Sequence, residues 1–520
     1  MNQTAKRTSA LKKAILIILI LSAAQLVYVY FGQSLLTSVK RPDKADYVKV
    51  AEDLFDGGGL YEFQYPFAYS FFVGLAAFFP ERLQNNLFYA MQVVWKAGFL
   101  LAIFCALRKK LKEEESLIAI LLVGLSPLWF MYSFRYMAEN LEVPLVILTM
   151  LLHFNMREVL SGNASAGKKL LYTFIAALLA WLCFMTKYLC LLLLPVFCLL
   201  WGSGALITRA VGPAGPSKGG APGTKPFCFE ADNHSSRLSG GRIARTVLWC
   251  VIYTGIVLAL IVLYAAIIAK GQGRPLKLDV IKLTMGFSQA SGPDKVGYVF
   301  LPDGKWVLCY TLYGLLGASV FAASLIGRAS WEKTRKYLAE VLGILAAAAV
   351  LIYAASRHST LAWYNTDGYM LKLLGRYVSL MTTMGLLLIF YMIPEDGRLR
   401  DGPGSSAKLS NAGFGEVVKN PGLSAGAIVR TLIGAAAGYL IVVLAWKILY
   451  RNALGLNMDP NFLAENRGLD LLAFWRIGKG AAVFYMLMIL LNAVVRKRKV
   501  LYLTLVLCFL LNDLSLFVGI

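Results

Sequence analysis

Apolar runs of about 20 residues recur along this chain, each closed by charged or turn-forming residues. In lipid such a run satisfies its own backbone donors and acceptors only as a helix, so the first constraint is a membrane helical bundle. The 520 residues are 58% hydrophobic, against about 45–50% for a soluble domain. The fold class expected is therefore all-α and polytopic, a single transmembrane domain over residues 1–520, rather than several soluble units.

A formal charge of +23 fits nucleic acid on its own. The bases, however, lie between the apolar runs: Lys6, Arg7, Lys12 and Lys13, then Arg108, Lys109, Lys110 and Lys112, then Arg157, Lys168 and Lys169. Arg328, Lys333, Arg335 and Lys336 continue the series, and Arg496 to Lys499 close it. This is the positive-inside pattern, and it excludes nucleic acid as a partner. With the N-terminus cytoplasmic, alternation gives about 13 spans. They include Ala14–Leu36, Asn86–Leu107, Leu117–Phe134, Tyr188–Ile207, Trp306–Ile326 and Tyr337–Ala355. The first is too long for a signal-peptide core and has no small-residue cleavage site. Phe67 to Pro80 is too short to cross and reads as interfacial or re-entrant. Residues 209–245 and 394–430, rich in Gly and Ser, read as flexible cytoplasmic linkers.

The eight cysteines form no CxxC and no metal-ligand spacing with the three histidines. Cys183, Cys190, Cys198, Cys250 and Cys508 lie in or beside apolar runs and are expected to be small buried hydrophobes. There is no P-loop, GxSxG or HExxH, which argues against an ATP-driven pump.

The first outer loop, residues 37–85, gathers six carboxylates between Asp43 and Pro66: Asp43, Asp46, Glu52, Asp53, Asp56 and Glu62. Tyr47, Ala51 and Leu54 recur at helical spacing, so Asp43 to Phe55 is predicted to be an amphipathic helix at the membrane surface. Gly57 to Gly59 break it before Tyr65-Pro66. Either a solvated loop or a site at the membrane boundary has this composition. Charges near other outer span ends narrow the choice, because a charge in mid-membrane costs roughly 2.5–3.5 kcal/mol. Arg135 and Glu139 stand at ion-pair spacing, and Glu142 lies on the same helix face as Glu139. Lys187 interrupts an apolar run and either snorkels or holds an anion. Arg357-His358, Trp363 to Asp367, Lys372 and Gly375-Arg376-Tyr377 make either an interfacial belt or an anion site. His358 reads as a hydrogen-bonding group.

Asp43 with Tyr47, Ala51 and Leu54, the Gly57 to Gly59 break, Tyr61 and Tyr65-Pro66 together resemble the first outer loop of the GT-C polytopic glycosyltransferases. Protein mannosyltransferases and the aminoarabinose transferases of lipid A are the members meant. Glu139, Thr186-Lys187 and Gly375-Arg376-Tyr377 add short matches. Asp43-Lys44 stands where many relatives have Asp-Glu, and Pro66-Phe67 where they have two prolines, so the sugar stays open. The resemblance implies a polyprenyl-phosphate-linked sugar donor and a lipid, glycan or protein acceptor. It implies inverting transfer on the outer face of the plasma (inner) membrane. Asp43, or its i+3 neighbour Asp46, would be the general base. Lys187, Arg376 and Arg357 would meet the lipid phosphate, with Glu139, Tyr47, Tyr65 and His358 around sugar or acceptor. The resemblance fixes no cofactor and leaves a divalent metal open. The rivals are a transporter or lipid flippase, which calls for internal repeats and broken helices, and a non-catalytic scaffold.

Overall fold

A computed structural model describes residues 3–35, 42–55, 66–126, 129–130, 133, 136–161, 164–206, 240–271, 273–285, 301–316, 318–365, 379–394, 425–450, 479–495 and 497–518. Among the described residues every regular element is a helix. The first helix, α1 (Gln3–Leu35), is followed by α2 (Pro42–Phe55), α3 (Phe67–Leu75), α4 (Glu81–Leu107) and α5 (Glu113–Gly124). Next come α6 (Glu139–Met156), α7 (Ala166–Thr186), α8 (Leu194–Gly202), α9 (Gly240–Gly271) and α10 (Leu278–Thr284). The chain goes on through α11 (Gly304–Leu316), α12 (Ser319–Arg328), α13 (Trp331–Lys336) and α14 (Leu338–Asn365). It closes with α15 (Ser379–Met392), α16 (Ala425–Ala445), α17 (Lys479–Val494) and α18 (Arg498–Val518).

Seven helices among the described residues are long and apolar enough to cross a membrane, eight if one bent pair is a single span. The chain is thus an all-helical, multi-pass membrane protein. Leu16, Leu19 and Ile20 on α1 and Val251, Leu258 and Leu263 on α9 are exposed. Lipid, not water, is the solvent such faces suit.

Several expected spans differ from the observed helices. Trp306–Ile326 is broken: Gly304–Leu315 and Ser319–Arg328 meet at 70°. Leu117–Phe134 is not one helix either, because α5 stops at Gly124. Pro127 follows two residues after Leu125 and disfavours helix at Ser126. Across Tyr188–Ile207 the chain makes a tight 3-10 turn, Tyr188–Leu193, before α8. Conversely α14 continues past Ala355 into the expected outer segment as far as Asn365. The described ends of both linkers are also helical, since α9 begins at Gly240 and α16 at Ala425. The rest of each linker lies outside the described residues.

The basic turns meet at one end of the bundle, and they do so through buried acids. Glu340 at the start of α14 accepts from Lys110 Nζ at 2.6 Å and from Arg157 Nη2 at 2.8 Å. Glu115 in the first turn of α5 takes Arg498 Nη1 at 2.5 Å and Lys333 Nζ at 3.8 Å. Acids suit these helix N-termini, where backbone N–H groups give partial positive charge. Chain turns far apart in sequence are so tied at this basic end. At Gly204 a Cβ would overlap the carbonyl of Arg157, so the residue there must be glycine for the chain to pass.

Candidate functional site

The opposite end holds an ion cluster of inverted sign. Lys187 is the residue on which α7 stops, in extended conformation with φ −159° and ψ 128°. Its Nζ lies 2.7 Å from Glu139 Oε1 and 3.1 Å from Glu142 Oε2. Both glutamates sit in the first turn of α6. Their i,i+3 spacing puts them on one face. The helices run antiparallel, so the positive N-terminus of α6, bearing acids, faces the negative C-terminus of α7, bearing the lysine. Both macrodipoles favour this placement. Cys190 Sγ donates to Glu142 Oε1 at 3.5 Å, a weak contact. Two buried acids, Glu139 and Glu142, thus share one lysine.

Tyr69 carries this cluster across to α2. Its hydroxyl accepts from the Met137 amide at 2.8 Å and donates to Gln92 Oε1 at 3.0 Å. Burial pushes the Tyr69 phenol well above its ordinary value, against the bonds with Asn140 and the Met137 backbone, and nearby Glu139 adds to the rise. The phenol therefore stays a neutral donor. Its ring packs edge-on against Tyr47 of α2, with centroids 4.8 Å apart and planes at 77°. Tyr47, Val50 and Ala51 are buried, which fits the amphipathic helix read from their spacing. The amphipathic helix therefore docks on α3, and α3 on the start of α6.

The start of α6 also shows how a buried proline is accommodated. Pro144 cannot donate to the carbonyl of Asn140. Trp95 Nε1 bonds that carbonyl at 3.4 Å instead.

Of the residues singled out from sequence, Tyr47 packs on Tyr69, Glu139 lies near its phenol, and Lys187 is paired with Glu139. Arg357 is half-buried and His358 exposed near the far end of α14. Asp43 and Asp46 lie on α2, one turn before Tyr47 and beside it; their side chains are outside the described residues. Tyr65, Arg135 and Arg376 are outside them altogether. The helix begins at Pro42, so Asp43 belongs to its first turn and does not precede it as a cap.

Tyr69, Gln92 and Lys96 escaped the sequence reading. Lys96 is fully buried in the middle of α4, donating to Trp129 O at 2.7 Å and Ser133 Oγ at 2.9 Å. Gln25 Nε2 reaches the same carbonyl at 3.2 Å, and Gln92 Nε2 bonds Ser133 O at 3.0 Å. These groups serve the backbone carbonyls left open beyond α5. A lysine in mid-run was the available signal, since such a charge in lipid calls for a partner.

Among the described residues no three His, Cys, Asp or Glu side chains are grouped to hold a metal ion. Two of the acids nearest the proposed chemistry, Asp43 and Asp46, fall outside that statement.

Comparison with known proteins returns no match: no protein-family model fits the chain, and no curated protein or solved structure matches it.

Proposed function

We propose that the chain is a membrane glycosyltransferase that moves a sugar from a polyprenyl-phosphate donor to an acceptor hydroxyl, with inversion. On this reading it has about 13 spans, a cytoplasmic N-terminus and basic turns inside, so the Lys187 end faces out. The observation that carries the reading is the Lys187–Glu139–Glu142 cluster, joined through Tyr69 to the helix that bears Asp43. Two of the residues that carry the resemblance to GT-C enzymes, Glu139 and Lys187, are thus in contact, and Tyr47, a third, packs on Tyr69.

Asp43 takes the acceptor proton as the hydroxyl attacks the anomeric carbon, and the transition state is oxocarbenium-like. The leaving lipid phosphate gains charge, which a fixed cation must meet. Lys187 is already neutralised by two carboxylates, so that charge falls chiefly to Arg376 and Arg357. Glu139 and Lys187 then hold sugar hydroxyls, together with Tyr47, Tyr65 and His358.

The test is release of free polyprenyl phosphate by purified, cooperatively folded protein offered hexosyl and pentosyl donors. Release in excess of an Asp43→Asn control supports the proposal. Absence of release from both donor classes overturns it. A transporter or flippase is the second reading, favoured by the 70° break between α11 and α12. Donor movement across a sealed vesicle without release of polyprenyl phosphate selects it.

A further inference from the structure

Two thiols near the basic end do not behave as the buried hydrophobes their apolar context predicts. Cys183, Cys190, Cys309 and Cys508 are buried, whereas Cys198 on α8 and Cys250 on α9 are half-exposed. They also face each other. Cys198 Sγ lies 3.5 Å from the carbonyl of Cys250, and Cys250 Sγ 3.6 Å from the carbonyl of Cys198. Cys198 Sγ is 3.4 Å from Thr254 Oγ1 as well. Such reciprocal contacts require the two backbones to run side by side. Gly202 permits this: a Cβ there would overlap Cys250 Sγ, and would press on the Thr246 carbonyl at 3.3 Å.

We propose that Cys198 and Cys250 are a redox-active pair that closes to a reversible disulfide between α8 and α9. A disulfide requires the two α-carbons within about 4.4–6.8 Å; the reciprocal thiol–carbonyl contacts set the two residues side by side, and closure requires each sulfur to turn from the carbonyl toward its partner. The pair is half-exposed on apolar helices, so a membrane-permeant oxidant is the kind that reaches it. Cys250 follows Arg242 by little more than two turns and Arg245 by about one and a half, and Cys198 precedes Ser203, whose hydroxyl accepts from the Arg157 guanidinium at 3.2 Å. Both cysteines therefore sit close to the charged boundary of the bundle. The oxidant class is a two-electron acceptor such as a diazene dicarboxamide. Two S–H bonds break and one S–S bond forms; the two electrons and two protons reduce the N=N bond to a hydrazine. The cysteines are 52 positions apart, and residues 207–239 join their helices. Closure thus makes a covalent link between α8 and α9 that no longer depends on that linker.

The inference is independent of the transferase reading. Its test uses the full chain, carrying Cys228→Ser and a protease site within residues 214–236, purified in detergent. After cleavage and oxidation by diamide, the two halves are expected to run as one band on a non-reducing gel and to separate with dithiothreitol. Cys198→Ser and Cys250→Ser should each abolish the joined band. Halves that separate after oxidation overturn the proposal, and so does a joined band that persists in either serine variant. Should a variant fail to fold, peptide mass spectrometry of the oxidised parent chain decides. A linked peptide containing Cys198 and Cys250 sustains the proposal, and recovery of both residues as alkylated thiols overturns it.

Discussion

At the basic end each buried carboxylate is shared by two cations, while at the opposite end one lysine is shared by two buried carboxylates. Both arrangements use helix termini, and both take charge out of water. They differ in what is left over. Glu340 and Glu115 are each over-served and serve to tie distant turns together, with Lys110 reaching Glu158 at 3.5 Å as well. The Lys187 cluster keeps an excess acid near a phenol, Tyr69, whose ring packs against the helix that bears Asp43. The first arrangement is a clamp. On the transferase reading, the second would offer donors and acceptors to the hydroxyl groups of a ligand.

This comparison can be broken by substitution, from the largest effect down. Glu340→Ala leaves the Arg157 guanidinium and Lys110 ammonium without their shared acid. It should lower stability by about 3–5 kcal/mol, read as denaturant unfolding in detergent, with turnover per folded molecule unchanged. Lys187→Met strands Glu139 and Glu142 together and should also cost about 3–5 kcal/mol. Here, however, adding Glu139→Gln and Glu142→Gln should restore most of the stability and none of the turnover, because the sites couple through contact. Should the triple variant regain turnover, the cluster is a clamp like the other. Tyr69→Phe keeps the ring against Tyr47 but leaves the Met137 amide buried without its acceptor, a loss of about 1–3 kcal/mol, measured the same way. Residues 214–236 are rich in Gly, Pro and Ser, and deleting them should keep stability within about 0.5 kcal/mol.

What the sequence disclosed followed from periodicity and charge. The spacing of Tyr47 and Ala51 marked α2 to within one residue of its start, because an amphipathic helix repeats on one face. The basic turns were grouped correctly on one end, since each closes an apolar run. Hydropathy is blind to where an apolar run bends, and so the breaks after Gly124 and between α11 and α12 did not show. Pro127 was a local sign of the first. Its repair was not legible, because the groups that serve the open carbonyls, Lys96 and Gln25, lie on other helices far along the chain. For the same reason Lys187 was read as snorkelling or holding an anion, without its pairing to Glu139 and Glu142. Its partners, Glu139 and Glu142, are some 45–48 positions away, and apolar packing alone brings them together. Cys198 and Cys250 were misjudged because an apolar neighbourhood in sequence does not state which side of a helix meets protein.

The central claim is that the acid-bearing end is where chemistry happens, with α2 supplying the base. Its most direct measurement is turnover of a polyprenyl-phosphate sugar by Asp43→Asn beside the parent chain and Asp46→Asn. The account expects Asp43→Asn to lose about 10²–10⁴ in turnover with an unchanged unfolding transition, and Asp46→Asn to lose less. Parental turnover in Asp43→Asn contradicts it.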